Sequence, residues 1–254
     1  MALPQITSRD EWLEARTALL EKEKAFTRAR DELNAERRRL PMVEVTTDYR
    51  FTGPDGEVGL HDLFEGRRQL IVYHFMFEPD WDAGCPSCSA GAAEVAQGLL
   101  DHLHDRDTTY AYVSRAPYRK LAVYKAERGY PVPWYSANGS DFNVDFGVTL
   151  DPDKAPVVYN YRSADEWAAR GWEPFGDPGQ MPFDLHGHSV FLRDGDRVFH
   201  TYSMYGRGAE TVGGSLYYMD LTALGRQEAW EEPKGRSERA LAADPGITAD
   251  ATSA

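Results

Sequence analysis

Cys85 and Cys88 are the only cysteines among 254 residues, and they stand in a Cys-Pro-Ser-Cys run. Pro86 suits the first position of a helix, and the residue before a proline is pushed out of the helical region. Cys85 is therefore expected to cap a helix, with Cys88 one turn inside it. A sulfur at a helix N-terminus feels the positive end of the dipole and loses its proton more readily. A second sulfur three residues on can then attack a mixed disulfide. This is the chemistry of a dithiol in which Cys85 attacks and Cys88 resolves. Two other readings fit the same residues. Buried cysteines can be small hydrophobes, and a lone C-x-x-C can be half of a zinc site. No second C-x-x-C exists, so histidines would have to complete such a site. His186 and His188 are the best pair, because i, i+2 on a strand share one face.

What precedes and follows the pair favours the dithiol. Leu70 to Phe77 is an apolar run without polar alternation, stopped by Pro79, and reads as a strand buried on both faces of a parallel sheet. The cysteine helix is expected to continue to about Leu103. Thr108 to Ser114 reads as a second buried strand and Pro117 to about Arg128 as a helix, so a βαβ unit emerges. Ligands of such sheets gather beyond the carboxyl ends of the strands, where Cys85 and Arg115 both fall. Arg115 can stabilise a thiolate or hold an anionic substrate; a surface ion pair is the plainer alternative. Trp81 and Pro86, beside the cysteines, are expected to contact substrate. His74, in the middle of the apolar strand, is costly to bury charged and is expected to be a neutral, hydrogen-bonded imidazole unless it has a catalytic role.

Ser8 and Glu11 have the form of a capping box and start a helix expected to reach Leu40, where Pro41 stops it. Trp12, Leu19, Phe26, Leu33 and Leu40 recur every seven residues along this charged rod. Ala15, Lys22, Ala29 and Glu36 are too weak for a self-sufficient coiled-coil seam. The helix is therefore expected to lie against the body or, as a homodimer contact, against a second subunit. Val43 to Phe51 reads as a strand leading through the Gly53-Pro-Asp-Gly56 turn into a hairpin, and Asp62 to Gly66 as a helical turn. Residues 131–187 are aromatic and turn-rich and read as an inserted cover. Ser189 to Arg193 and Arg197 to Tyr202 form a hairpin around Asp194-Gly195, followed by a closing helix from Asp220 to Trp230 and a tail, residues 233–254, expected to be disordered.

Composition narrows the function classes. With 42% hydrophobic and 12% aromatic residues, the chain can bury a substantial core as one domain, residues 42–232, behind an N-terminal extension of residues 1–41. A net charge of −13 from 28 basic and 41 acidic residues opposes binding to nucleic acid or anionic lipid. No apolar run reaches membrane-spanning length and no signal-peptide pattern stands at the start, so a cytoplasmic protein without a cofactor or metal is expected. In such a reducing compartment two cysteines are not a structural staple.

Strand, C-x-x-C helix, strand, helix and hairpin is the order of the thioredoxin fold, and Cys-Pro-Ser-Cys is similar to glutaredoxin-type active sites. The chain further resembles the bacterial domain-of-unknown-function family 899 through Gln69-Leu-Ile-Val-Tyr-His-Phe-Met76, Cys85-Pro-Ser-Cys-Ser89, Val113-Ser-Arg-Ala-Pro117, Ser140-Asp-Phe-Asn-Val-Asp-Phe-Gly147 and His200-Thr-Tyr-Ser203. The resemblance implies an α/β, thioredoxin-like fold with a central mixed sheet, and a dithiol-disulfide oxidoreductase acting on a disulfide or thiol substrate. A thiol peroxidase is the runner-up, although the peroxiredoxin motif would need Pro at Glu78 and Thr at Asp82. Gly187-His-Ser189 occupies the place of thioredoxin's substrate-contacting proline, so Gly187 and His188 are expected at the substrate. His74 aligns best with the buried acid of thioredoxin, which would put it beneath the cysteine helix as the acceptor of the Cys88 proton.

Overall fold

The computed structural model describes residues 3–171, 181–212, 214, 218–223 and 232–234. Along the chain run α1 (Arg9–Arg37), β1 (Val43–Glu44), β2 (Arg50–Gly53), β3 (Gly56–Gly59), β4 (Gln69–His74), α2 (Pro86–Ala93), α3 (Gln97–His104), β5 (Thr108–Ser114), α4 (Tyr118–Arg128), β6 (Trp134–Ser136) and α5 (Phe142–Asp145). They are followed by β7 (Thr149–Leu150), β8 (Val158–Tyr159), β9 (Arg162–Ser163), α6 (Ala164–Ala168), β10 (Phe183–Asp184), β11 (Gly187–Asp194) and β12 (Arg197–Tyr205). Among the described residues, eight strands form one mixed sheet in the order β1-β12-β11-β4-β5-β6-β2-β3. β4 pairs in parallel with β5 and antiparallel with β11. Strand, cysteine helix, parallel strand, helix and antiparallel hairpin therefore follow one another as the thioredoxin-like fold requires. The expected helix from Asp220 to Trp230 and the tail lie largely outside the described residues.

Side chains alternate across β4, and this splits the core in two. Leu70 and Val72 join Ala111, Val113, Phe142 and Phe191 in a cluster on one face of the sheet. On the other face Phe75, Tyr112, Leu121 and Trp134 pack with Cys85 and Cys88.

Several expectations are corrected. The strand expected over residues 43–51 is two strands at opposite sides of the sheet: β1 pairs with β12, whereas β2 pairs with β3 and β6. Val45 still donates its N–H to the Val198 carbonyl at 2.8 Å, and the chain then crosses to β2 with Tyr49 buried in the core. The cysteine helix breaks at Glu94 to Ala96 into α2 and α3, and Leu100 of α3 still packs in the cysteine cluster. The cover begins later than residue 131, because β6 is buried at all three positions and extends the central sheet in parallel with β5.

The capping box at Ser8 is present, yet α1 has no buried residue. Trp12, Leu19, Phe26 and Leu33 are 47%, 50%, 67% and 53% exposed, so the apolar line does not dock on this chain's own sheet. The last turn touches the body, where the Arg37 guanidinium lies 4.6 Å over the Tyr202 ring.

The cover is pinned by Phe142, whose ring centroid lies 5.1 Å from Tyr49, 4.9 Å from Phe51 and 4.7 Å from Phe146. Phe142 is fully buried. Phe142→Ala should cost about 3–5 kcal/mol, read from the urea midpoint at unchanged slope.

Candidate active site at the cysteine helix

Past β4, Phe75 and Phe77 still bond the backbone of Val113 and Ala116; the chain then loops out and returns at Cys85, whose N–H donates to the Met76 carbonyl over 2.9 Å. Cys85 is the N-cap of α2 with an extended backbone, and Pro86 opens the helix. Gly84 is needed for this approach, since a Cβ there would lie 2.6 Å from the Phe75 ring. Ser89, one turn inside, donates its hydroxyl to the Cys85 carbonyl and shares a 2.8 Å hydrogen bond with the Tyr124 hydroxyl, fixing α2 against α4. The cap arrangement matches the sequence reading, but its exposure does not. Cys85 is only 7% exposed and Cys88 2%, because Trp81 and the aromatic cluster close over them. Neither cysteine is in a disulfide.

The floor under the sulfurs is a row of aromatic side chains crossing four strands. His188 of β11 pairs with Tyr73 of β4, Tyr73 with Tyr112 of β5, and Tyr112 with Trp134 of β6. Their ring centroids are 4.7, 5.7 and 5.6 Å apart in that order. The Tyr110 hydroxyl meets His188 Nε2 at 3.2 Å. Cys88 packs with Cys85, Tyr73 and Met76 in this cluster. Burial first, and then its neighbour Cys85, push the Cys88 thiol well above its ordinary pKa; Tyr73 and Met76 act in the opposite sense. Burial likewise raises Tyr73 and Tyr110, and it lowers His188 to about 3. At neutral pH the floor therefore consists of phenols and a neutral imidazole.

The expected site residues fall into two groups. Trp81 packs against the cysteine cluster, Pro86 is at the exposed first turn of α2, and His188 lies in the aromatic row. His74, Arg115 and Gly187 do not join them. His74 points to the opposite face of the sheet, where its ring stacks on Phe142 and Phe146 at 5.5 and 6.3 Å. There it bonds Asn143 Oδ1 through Nδ1 at 3.3 Å and Ser189 Oγ through Nε2 at 2.9 Å. It is thus the hydrogen-bonded core imidazole and does not lie beneath the cysteine helix, since a neighbour in a strand faces the other way.

Arg115 is held by Asp184 at 2.6 Å and Glu78 at 3.7 Å. This ion pair ties the cover strand β10 to the loop before α2. Gly187 is buried in the ladder between β4 and β12, and a Cβ there would lie 2.6 Å from Tyr205, which leaves no room for substrate. Among the described residues no three His, Cys, Asp or Glu side chains converge as metal ligands. Sequence reasoning missed Tyr73, Tyr110 and Tyr112; their parity with the residues around Cys88 was the available signal.

Burial sets an acid limit on stability. It lowers His74 to about 4 and His188 to about 3 from the ordinary 6.5, so both bind a proton less readily folded than unfolded. The stability they permit is complete above about pH 6.5 and is lost as the pH falls toward 4 and then 3. Denaturant midpoints should drop from pH 7 to 4.5, and His74→Asn should flatten that slope.

No curated protein matches the sequence significantly. Among solved structures the chain is similar to the peroxidoxin BcpB of Mycobacterium tuberculosis, at 16% identity over 67% of this chain and 86% of that one, with a TM-score of 0.43. A mutant of Xanthomonas campestris peroxiredoxin Q matches at 12% identity over 68% and 94%, with a TM-score of 0.46. A mutant peroxiredoxin 6 of Arenicola marina matches at 13% over 83% and 86%, with a TM-score of 0.41. Likeness at this level assigns neither chemistry nor substrate. The family described as "Bacterial protein of unknown function (DUF899)" matches residues 1–242, and the chain belongs to it.

Proposed function

We propose that the protein is a thiol-disulfide oxidoreductase in which Cys85 attacks a protein or small-molecule disulfide and Cys88 resolves the mixed disulfide. The observation that supports this reading is the packing of the two cysteines together at the start of α2, Cys85 at its cap and Cys88 one turn inside. Cys85 sits at the positive end of the helix, while burial keeps Cys88 protonated until a neighbouring disulfide forms. In the first step Cys85 sulfur bonds to one substrate sulfur and the other leaves as a thiolate. In the second, Cys88 sulfur bonds to Cys85 and releases the remaining substrate thiol. Two electrons pass from the dithiol to the substrate.

A cytoplasmic location, where both thiols stay reduced, fits this role; no described helix is long and apolar enough to cross a membrane. Intact mass should fall by two hydrogens on oxidation and recover with reductant, and Cys85 should alkylate before Cys88. A mass that never changes, or Cys88 alkylating first, overturns the assignment.

Hydroperoxide reduction by the same pair is the second reading. The near-complete burial of both thiols favours a small oxidant over a protein. Hydroperoxide consumption at a rate above that of disulfide exchange would decide for it.

For α1 the reading is contact with a second copy of the chain, because four large apolar side chains at heptad spacing stand uncovered. Sedimentation should give a dimer for the wild type and a monomer for Leu19→Ser combined with Phe26→Ser. A wild-type monomer removes this role for α1.

A further inference from the structure

His200 to Tyr205, six consecutive residues of β12, border a cavity of about 520 Å³. Side chains of a strand alternate between faces, so a run of six lines one space only where that space opens at the strand's edge. β1 pairs with this edge at Phe199 and His200, and beyond them no strand follows it among the described residues. Val43, opposite His200, closes one end of the cavity, and Gly208, packed against Met204, closes the other. The edge between them is too short for a further strand to run through. Its volume is that of a small-molecule site, and β11 separates it from β4 and the cysteines beyond.

Tyr161 forms one wall, in a conformation that its residue type resists. Asn160 and Tyr161 are the loop between β8 and β9, with φ of 47° and 63°. Such a loop favours glycine at its second position, and a bulky side chain in the left-handed region is strained. Here the side chain is held in place: its hydroxyl donates to the Ser203 carbonyl over 2.9 Å, and its ring centroid lies 5.6 Å from that of Tyr205. The hairpin thus keeps an aromatic ring at the cavity where glycine would suit the backbone better. Tyr202, on the strand itself, is fixed by the Arg37 guanidinium. Among the described residues no carboxylate, lysine or arginine lines the cavity. His200, whose Nε2 lies 2.7 Å from Ser203 Oγ, is held neutral at pH 7 by burial.

We propose that this cavity is a binding site for an uncharged, flat aromatic molecule with one hydrogen-bonding group, held against the Tyr161 ring and bonded to the edge of β12. Three tyrosine rings supply aromatic contact. The backbone that β1 leaves without a ladder partner supplies the hydrogen bond. An ionised ligand would lose its water there and find no lining charge in exchange. The site is independent of the cysteines and of the chemistry proposed for them.

The test is calorimetric titration of the full-length protein at pH 7 with 2-naphthol, which is uncharged, and with 2-naphthoate, the same ring system carrying a carboxylate. The naphthol should bind saturably, one per chain, and the naphthoate at least tenfold more weakly. Tyr161→Gly should weaken naphthol binding by roughly tenfold, the scale of one lost aromatic contact, while the melting temperature stays close to that of the wild type, because glycine suits the turn. Gly208→Leu, whose Cβ would meet Met204 at an ordinary 3.6 Å, fills one end of the cavity and should also weaken binding. No saturable binding of naphthol overturns the site. Binding unchanged in both variants overturns its location, and naphthoate binding as tightly as naphthol overturns the ligand class.

Discussion

Which side of β4 a residue faces decides what the cysteines touch. A strand turns successive side chains to opposite faces, and β4 is fixed in register on both sides, by β5 in parallel and by β11 antiparallel. Tyr73 and His74 are neighbours in sequence and belong to different halves of the molecule. A one-residue slip would exchange them, putting an imidazole under the sulfurs and a phenol into the cluster around Phe142. The buried faces on each side make that slip prohibitively costly.

The half without cysteines carries its own buried polar chain. His74 bonds Ser189, Ser189 bonds Ser203 at 2.8 Å, and Ser203 bonds His200 Nε2 at 2.7 Å. Strict alternation would put His200 and Ser203 on opposite faces, being three apart. The register of β11 and β12 shifts between Val190 and Phe191, leaving Thr201 as the extra residue, and this bulge brings both side chains to one face. The Thr201 hydroxyl then bonds the Val190 carbonyl at 3.0 Å. Each buried donor finds a partner, which is what makes two histidines tolerable in a core.

Much of this was legible in the sequence, and the failures share a cause. The apolar run, the C-x-x-C turn, the βαβ unit and the final hairpin are local patterns and were read closely. The likeness to thioredoxin puts His74 beneath the cysteine helix, but in a strand one residue is a whole face, and His74 packs on Phe142 on the other side. Arg115 lies where expected along the chain, but Asp184 and Glu78, which bind it, come from segments no local pattern connects. The strand over residues 43–51 was read as one because its alternation is continuous; nothing in it says that its two ends serve different sides of a sheet. Trp12 to Leu33 was read correctly as an apolar line, but periodicity cannot say what covers it.

The order in which the sheet is completed follows from the pairing of β4 with β11. His74 and Ser189, which bond across these strands, are 115 positions apart. At roughly 5–20 residues per second of synthesis, the first waits on the order of ten seconds for the second. α1, with its own capping box and no buried residue, can form before any strand exists. Cys85 and Cys88 emerge early too, but His188 is made long after them. For that interval the nascent chain carries its two thiols without the finished wall of their pocket, open to oxidants that the completed fold screens from them.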